Sequence, residues 1–381
     1  MPKRIIALAL ALLTAAFSSA HAVPEPPVDI SGAGAVLLVC ADTGDVIIEK
    51  NADEAIEAAG LKRLPALLAV CRAFDEGKLK GEEVITVAAE AAKEKGATAF
   101  LSANERIAAE ELLKAAVMLT AGDAILALLL SLCGTREAAL EAVNAELSAI
   151  DAAPLTGSAT GEGHAFTLNE LEKICLELAK SGSFLRYSST YTAELAHENA
   201  PTTELTNPNR LVRHYSGCFG LATGSVGASE YAGAFIARRG GTAFLVLLAG
   251  MQSGSARAKL ASDLLDYAFS AFRTYEAGRD GDVIGAVTVT GGQKSLVEAV
   301  NPSDVKALVS VQSPKLTVEP ELYESVEAPI EEGAVLGKLI IKDASGNILA
   351  EAPAVSAEAV KASSFGFWFM QLTESWLRRS P

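Results

Sequence analysis

Lys62 stands at the mouth of an apolar run, in the stretch AAGLKRLPALLAV over residues 58–70. A lysine placed where water is scarce can act as a base and activate a neighbouring hydroxyl for attack on a carbonyl. The residue three positions earlier would share its helix face, and that residue is Ala59, which has no hydroxyl. Pro65 follows closely. If a helix starts near Gly60, the N–H that proline lacks would have bonded the carbonyl of Leu61, so a displaced first turn is expected.

Other chemistry is thinly represented. There is no G-x-S-x-G, H-E-x-x-H or C-x-x-C, and no phosphate-binding Walker loop. The stretch GLATGSVG is glycine-rich, but it lacks the Walker lysine and does not open a helix, so it is not read as a phosphate cradle. Beyond residue 22, His164, His197 and His214 sit in unrelated contexts and read as solvated or structural. No metal and no cofactor is expected. The five cysteines (Cys40, Cys71, Cys133, Cys175 and Cys218) are odd in number and widely spread, which implies no disulfide framework. Cys71, Cys133 and Cys175 lie among apolar residues and read as small buried hydrophobes.

The elements that would position Lys62 follow from local patterns. AGAVLLVCADTGDVIIEK alternates around a D-T-G-D turn and predicts a β-hairpin. Residues 88–150 are rich in Ala and Leu at helical spacing and predict a helical subdomain. Thr167 with Glu170 forms a T-x-x-E capping box that opens the helix LNELEKICLELAKSG. From Tyr215 the pattern turns to strands: SGCFGLATG, SEYAGAFIARR and TAFLVLLAG predict an antiparallel meander. The helix ARAKLASDLLDYAFSAFRTY is expected to close that unit. Residues 283–360 are Val-rich with short alternating stretches and predict a small separate all-β domain.

Half of the 381 residues are hydrophobic and 21% are charged, so a sizeable core is expected. Both ends read as addresses. A basic MPKR, the apolar segment Ile5–Phe17 and small residues at Ala20 and Ala22 make residues 1–22 an export signal. Loss of Lys3 and Arg4 with that signal takes the formal charge from −15 to −17, too acidic for a nucleic-acid partner. In the last stretch Phe365, Trp368, Phe369, Leu372 and Trp376 would line one helix face ahead of Arg378 and Arg379. Such a face predicts a helix lying in the plane of a membrane surface.

The order of these segments resembles the penicillin-binding D-alanyl-D-alanine carboxypeptidases. These are low-molecular-mass serine peptidases that trim peptidoglycan stem peptides. The resemblance is carried by the hairpin, the AAGLK helix entry, MLTAGDAILAL, TNPNRLV, GLATG on a strand, the β domain and the tail. It implies an α/β fold of the β-lactamase/transpeptidase-like kind, an antiparallel sheet flanked by helices with a helical subdomain. A small β-sandwich domain and an amphipathic helix would follow. The implied limits are residues 1–22 for the signal, 23–277 for the peptidase-like domain, 278–361 for the sandwich and 362–381 for the anchoring helix.

The family's three short motifs, S-x-x-K, S-x-N and K-T-G, then fall on AGLK, TAG and ATG. Lys62 is kept, but Ala59 stands where the nucleophile would be. Thr120 and Gly122 replace serine and asparagine. Thr223 and Gly224 are kept, and Ala222 replaces the lysine. Covalent acyl transfer needs a hydroxyl that a base can activate, and Ala59 has none. The resemblance therefore implies a degenerate site with no intact catalytic set. The expected protein is exported and peripheral at the outer face of the cytoplasmic membrane. It would be a silent binding or scaffolding module near stem peptides or cell-wall synthesis proteins. An active D-Ala-D-Ala carboxypeptidase with unconventional residues is the alternative, and a purely structural envelope protein is a third reading.

Overall fold

The computed structural model describes residues 28–369 apart from 199, 228, 229, 314, 365 and 368. The expected signal segment and the face positions Phe365, Trp368, Leu372 and Trp376 lie outside the described residues.

The chain begins with the expected hairpin, β1 (Ala35–Cys40) and β2 (Val46–Lys50), paired antiparallel. A 3-10 turn (Ala59–Arg63) leads into α1 (Leu64–Asp75). A short strand pair, β3 (Val84–Thr86) and β4 (Arg106–Ala108), brackets a long loop. Of the expected helical stretch over 88–150, the part before Ala109 is that loop, with one 3-10 turn at Ala91–Lys93, and β4; the helices are α2 (Ala109–Leu119), α3 (Gly122–Cys133) and α4 (Arg136–Ala149). α3 is buried from Gly122 through Leu130, as a helix apolar on every side must be.

α5 (Leu168–Leu178) opens on the capping box read from sequence. The Glu170 amide donates to Thr167 Oγ1 at 3.1 Å and the Thr167 amide donates back to Glu170 Oε2 at 2.9 Å. α6 (Gly182–Ser188), the hairpin of β5 (Thr192–Leu195) and β6 (Thr203–Thr206), and α7 (Leu211–His214) lead to the meander. Its strands are β7 (Cys218–Val226), β8 (Glu230–Arg239) and β9 (Thr242–Met251). They join the hairpin in one antiparallel sheet of order β2-β1-β9-β8-β7.

Both faces of this sheet are covered. Leu37 and Val39 of β1, with Leu245 and Leu247 of β9, join the core shared with the helical subdomain. Their neighbours Val36 and Leu38, with Phe244 and Val246, pack on the other face beneath α8 (Gly254–Ala271). The period-two alternation of side chains sends each set to its own layer, so the strands read as continuous apolar runs.

The helix closing the meander ends at Ala271 and does not reach Tyr275. Phe272–Gly278 is extended as β10 and pairs with β13 (Val305–Ser310). Aromatic and β-branched residues in FRTY suit a strand, and ladder pairing outweighs the helical spacing seen in sequence. The remaining strands are β11 (Val283–Thr290), β12 (Leu296–Val300), β14 (Thr317–Leu322), β15 (Ser325–Glu327), β16 (Val335–Lys342) and β17 (Ile348–Ser356). They form a six-stranded sheet of order β14-β16-β17-β12-β11-β15. Val305, Ala307 and Val309 of β13 pack against Leu339 and Ile341 of that sheet, which completes an all-β unit.

Phe369 is exposed. No described helix is long and apolar enough to cross a membrane. All five cysteines are unbonded; Cys71 and Cys175 are buried as expected, and burial pushes their thiols up, whereas Cys133 at the end of α3 is only partly buried.

Candidate functional site

Ala59 opens the 3-10 turn in the left-handed region, with φ +49°. For an alanine this costs about 1 kcal/mol, and it persists because the surroundings fix it. The next residue, Gly60, lies directly on β7. A Cβ there would sit 3.0 Å from the carbonyl oxygen of Thr223, and a Cβ on Gly224 would sit 2.3 Å from the Gly60 nitrogen. Two facing glycines therefore bring turn and strand into backbone contact, which no larger residue at 224 permits. Pro65 falls in the first turn of α1, where its missing N–H has no intrahelical partner to lose. The expected displacement takes this form: the α-helix proper starts only at Leu64.

Lys62 does not point at a free hydroxyl. Its ammonium is paired with the Glu162 carboxylate, at the tip of the glycine-rich loop over residues 156–164. That loop approaches closely because Gly161, at φ +84°, has no side chain; a Cβ there would lie 2.1 Å from the Lys62 carbonyl oxygen.

The neighbouring Arg63 is only 3% exposed. Its Nη1 donates to the carbonyls of Ala97 at 2.8 Å and Thr120 at 2.9 Å, and Nη2 donates to the Lys95 carbonyl. Nε has no partner, and no carboxylate is in ion-pair contact with this guanidinium among the described residues. Burial holds its pKa below the usual arginine range, against the pull of Glu94, Glu162 and Asp123. The guanidinium lies against Gly122, where a Cβ would meet its Cζ and Nη2 at 2.7 Å. Thr120 is left-handed at φ +50°, and its hydroxyl donates to the Leu119 carbonyl at 2.6 Å. Asp123 ties the facing loop down by accepting the amides of Ala99 at 2.8 Å and Leu101 at 3.1 Å.

On the strand side, Ala222 is 4% exposed and belongs to the same apolar core as Ala59. Thr223 is buried and its hydroxyl has no partner among the described residues. Arg257 reaches up from α8 and donates to the carbonyls of Gly224 and Ala232, both at 2.8 Å. Burial pushes its pKa down to about 10. The TNPN segment is structural here: Asn209 donates to the Gly220 carbonyl at 2.9 Å and pins the start of β7.

The structure thus brings Ala59 and Gly60 against Thr223 and Gly224, keeps Lys62 on the same turn but paired with Glu162, and places Thr120 and Gly122 around Arg63. Arg63, Glu162 and Arg257 were not singled out in the sequence. The available signals were an arginine inside an apolar run and a glutamate between two glycines. The histidines stay apart. His197 is held between Glu105 at 2.6 Å and Thr203 at 2.8 Å, His164 stacks edge-on with Phe166, and His214 is exposed on α7. Among the described residues no group of three or more His, Cys, Asp or Glu could hold a metal ion.

The same order of elements exists in known proteins. The family model described as D-alanyl-D-alanine carboxypeptidase matches residues 20–242, more than half of the chain. The chain belongs to the D-alanyl-D-alanine carboxypeptidase family. Residues 272–362 match the C-terminal domain of penicillin-binding protein 5. The chain is 25% identical to D-alanyl-D-alanine carboxypeptidase DacF of Bacillus subtilis over 352 residues, covering 91% of this chain and 90% of that protein. It is 23% identical to D-alanyl-D-alanine carboxypeptidase DacC of Escherichia coli over 366 residues, covering 92% and 89%. Among solved structures it is similar in fold to penicillin binding protein 5 from Haemophilus influenzae, with a TM-score of 0.79 and 18% identity over 89% of this chain and 99% of that one. The resemblance read from the motif order therefore holds for family and fold. This is a carboxypeptidase-like protein of peptidoglycan metabolism, a pathway whose family members act outside the cytoplasm on stem peptides.

Proposed function

We propose that this D-alanyl-D-alanine carboxypeptidase-like protein is catalytically silent and serves as a binding or scaffolding module of the cell envelope. The observation that carries the reading is Ala59 in the place of the S-x-x-K nucleophile. In a serine hydrolase, loss of the nucleophile alone costs on the order of 10⁶-fold in turnover. The other motif positions support it. Lys62 is committed to Glu162, Ala222 offers no cation for a substrate carboxylate, and Gly122 offers no amide to the substrate backbone.

The alternative is an active carboxypeptidase with unconventional residues, and it would need Thr120 or Thr223 as the nucleophile. The Thr120 hydroxyl is engaged by the carbonyl next to it, and the Thr223 hydroxyl is buried. Incubation of the full chain with a fluorescent β-lactam separates the two readings. No label surviving denaturation is expected; a stable labelled band would sink the silent reading.

The site of action under this proposal is the outer face of the cytoplasmic membrane. The partners are a stem peptide or the cell-wall synthesis proteins, and the aromatic tail holds the protein to the lipid surface. Removal of residues 362–381 is expected to shift the protein from the membrane fraction to the soluble one. Unchanged partitioning would rule out the tail as anchor.

A further inference from the structure

We infer that Arg63 is a plug: its guanidinium occupies the volume into which a side chain at position 122 would project, so the cleft has lost a subsite as well as a nucleophile. The inference deepens the silent reading and rests on its assignment of position 122 to the second motif. A cleft lacking only its serine could still hold a ligand beside that position. While Arg63 is in place, its guanidinium takes the space that a side chain at 122 would reach into. A Cβ on Gly122 would lie 2.7 Å from Cζ, 2.7 Å from Nη2 and 3.0 Å from Nε, closer than carbon atoms approach nitrogen or carbon without displacement.

The guanidinium has little freedom to move aside. It is 3% exposed and donates to three carbonyls, those of Lys95, Ala97 and Thr120. Two lie in the loop between β3 and β4, and the third is that of Thr120, the residue just after α2. Gly96 is pressed against the same group, with a would-be Cβ 3.1 Å from Nη2. The Ala97 carbonyl also accepts the Gly122 amide at 2.9 Å, so the plug and the start of α3 share one acceptor. Withdrawing the arginine would take the donor from the buried Thr120 carbonyl, which is costly. Glycine at 122 and arginine at 63 are therefore coupled in the packing: the first leaves a hole and the second fills it and binds its walls.

A double-mutant cycle on positions 63 and 122 tests the coupling in the full chain, read by thermal melting. Gly122→Asn is expected to lower Tm by about 5 °C in the native background, as overpacking of a filled site does. In the Arg63→Leu background the same substitution is expected to lower it by under about 2 °C, because the volume is then free. Equal losses in both backgrounds would overturn the plug and reduce Arg63 to an ordinary clamp. The milder pair Gly122→Ala and Arg63→Lys gives the same comparison where the larger changes fail to fold. The cycle is read without activity, so its failure is separable from that of the silent reading. Additive losses in an unlabelled protein sink the plug alone, whereas β-lactam labelling of the native chain sinks the silent reading alone.

Discussion

The two ends of α1 treat polar groups in opposite ways. At its C-terminal end the polar groups are fully matched. Asp75 accepts from the Ser181 hydroxyl at 2.5 Å and from the Ser183 hydroxyl and amide at 2.7 and 2.9 Å. Arg72 bridges Glu146 and Glu177 at 2.7 and 2.9 Å, joining α1 to α4 and α5. At the N-terminal end Ala59 is left-handed, Arg63 is buried on carbonyls with Nε unpaired, and Thr223 nearby has an idle hydroxyl. One end is organised by packing between helices. The other is strained and apolar, with one buried cation seated on carbonyls. Strain of this kind concentrates at functional sites, and under the proposed silent reading it stands here without turnover.

That contrast can be broken at several points. The largest effect is expected for Gly224→Ala, because a methyl group would land 2.3 Å from the Gly60 nitrogen. Neither backbone can yield easily, so a loss of about 3 kcal/mol or more is expected in denaturant melts. Near-native stability would show that turn and strand are not in contact. Asp75→Ala at the matched end should cost about 1–2 kcal/mol, by unpairing Ser181 and Ser183 at the start of α6.

Asp75 also predicts a pH dependence. Burial raises its pKa, but the hydrogen bonds from Ser181 and Ser183 outweigh that and leave it below the usual carboxylate range. Its contribution is therefore fully present above about pH 4 and fades as pH falls through the depressed value. The stability gap between the native chain and Asp75→Asn should close in acid; a gap that widens would contradict the assignment. At the strained end, Ala59→Gly should raise stability by up to about 1 kcal/mol, since glycine accepts φ +49° without penalty. A loss of stability would mean that the turn is not strained. The smallest effect is expected for Ala59→Ser with Ala222→Lys: β-lactam labelling stays at background because Arg63 still fills the cleft. Strong labelling would show a pocket otherwise intact.

Most of the frame was readable because local patterns write it. The β1–β2 hairpin, the Thr167–Glu170 capping box and the meander through β9 all lie within short windows and obey simple periods. The helix over residues 256–275 was read too long because its C-terminal part pairs with Val305–Ser310, a partner that no local window contains. The candidate site divided in the same way. Ala59, Gly122 and Ala222 are singled out by sequence because motif order marks their places. Arg63, Glu162 and Arg257 were not, because their meaning lies in contacts with residues far along the chain: Thr120 for Arg63, Lys62 for Glu162 and Gly224 for Arg257. Gly224 shows a further point. Its retention follows from backbone contact with Gly60, so a kept motif residue need not signal kept chemistry.

The central claim is the absence of turnover, and free D-alanine is its most direct readout. The purified full chain is incubated with an N-acylated peptide ending in D-alanyl-D-alanine, and released D-alanine is measured against buffer and against Lys62→Ala. The account predicts release indistinguishable from buffer for both proteins. Release above buffer that disappears in Lys62→Ala would contradict it.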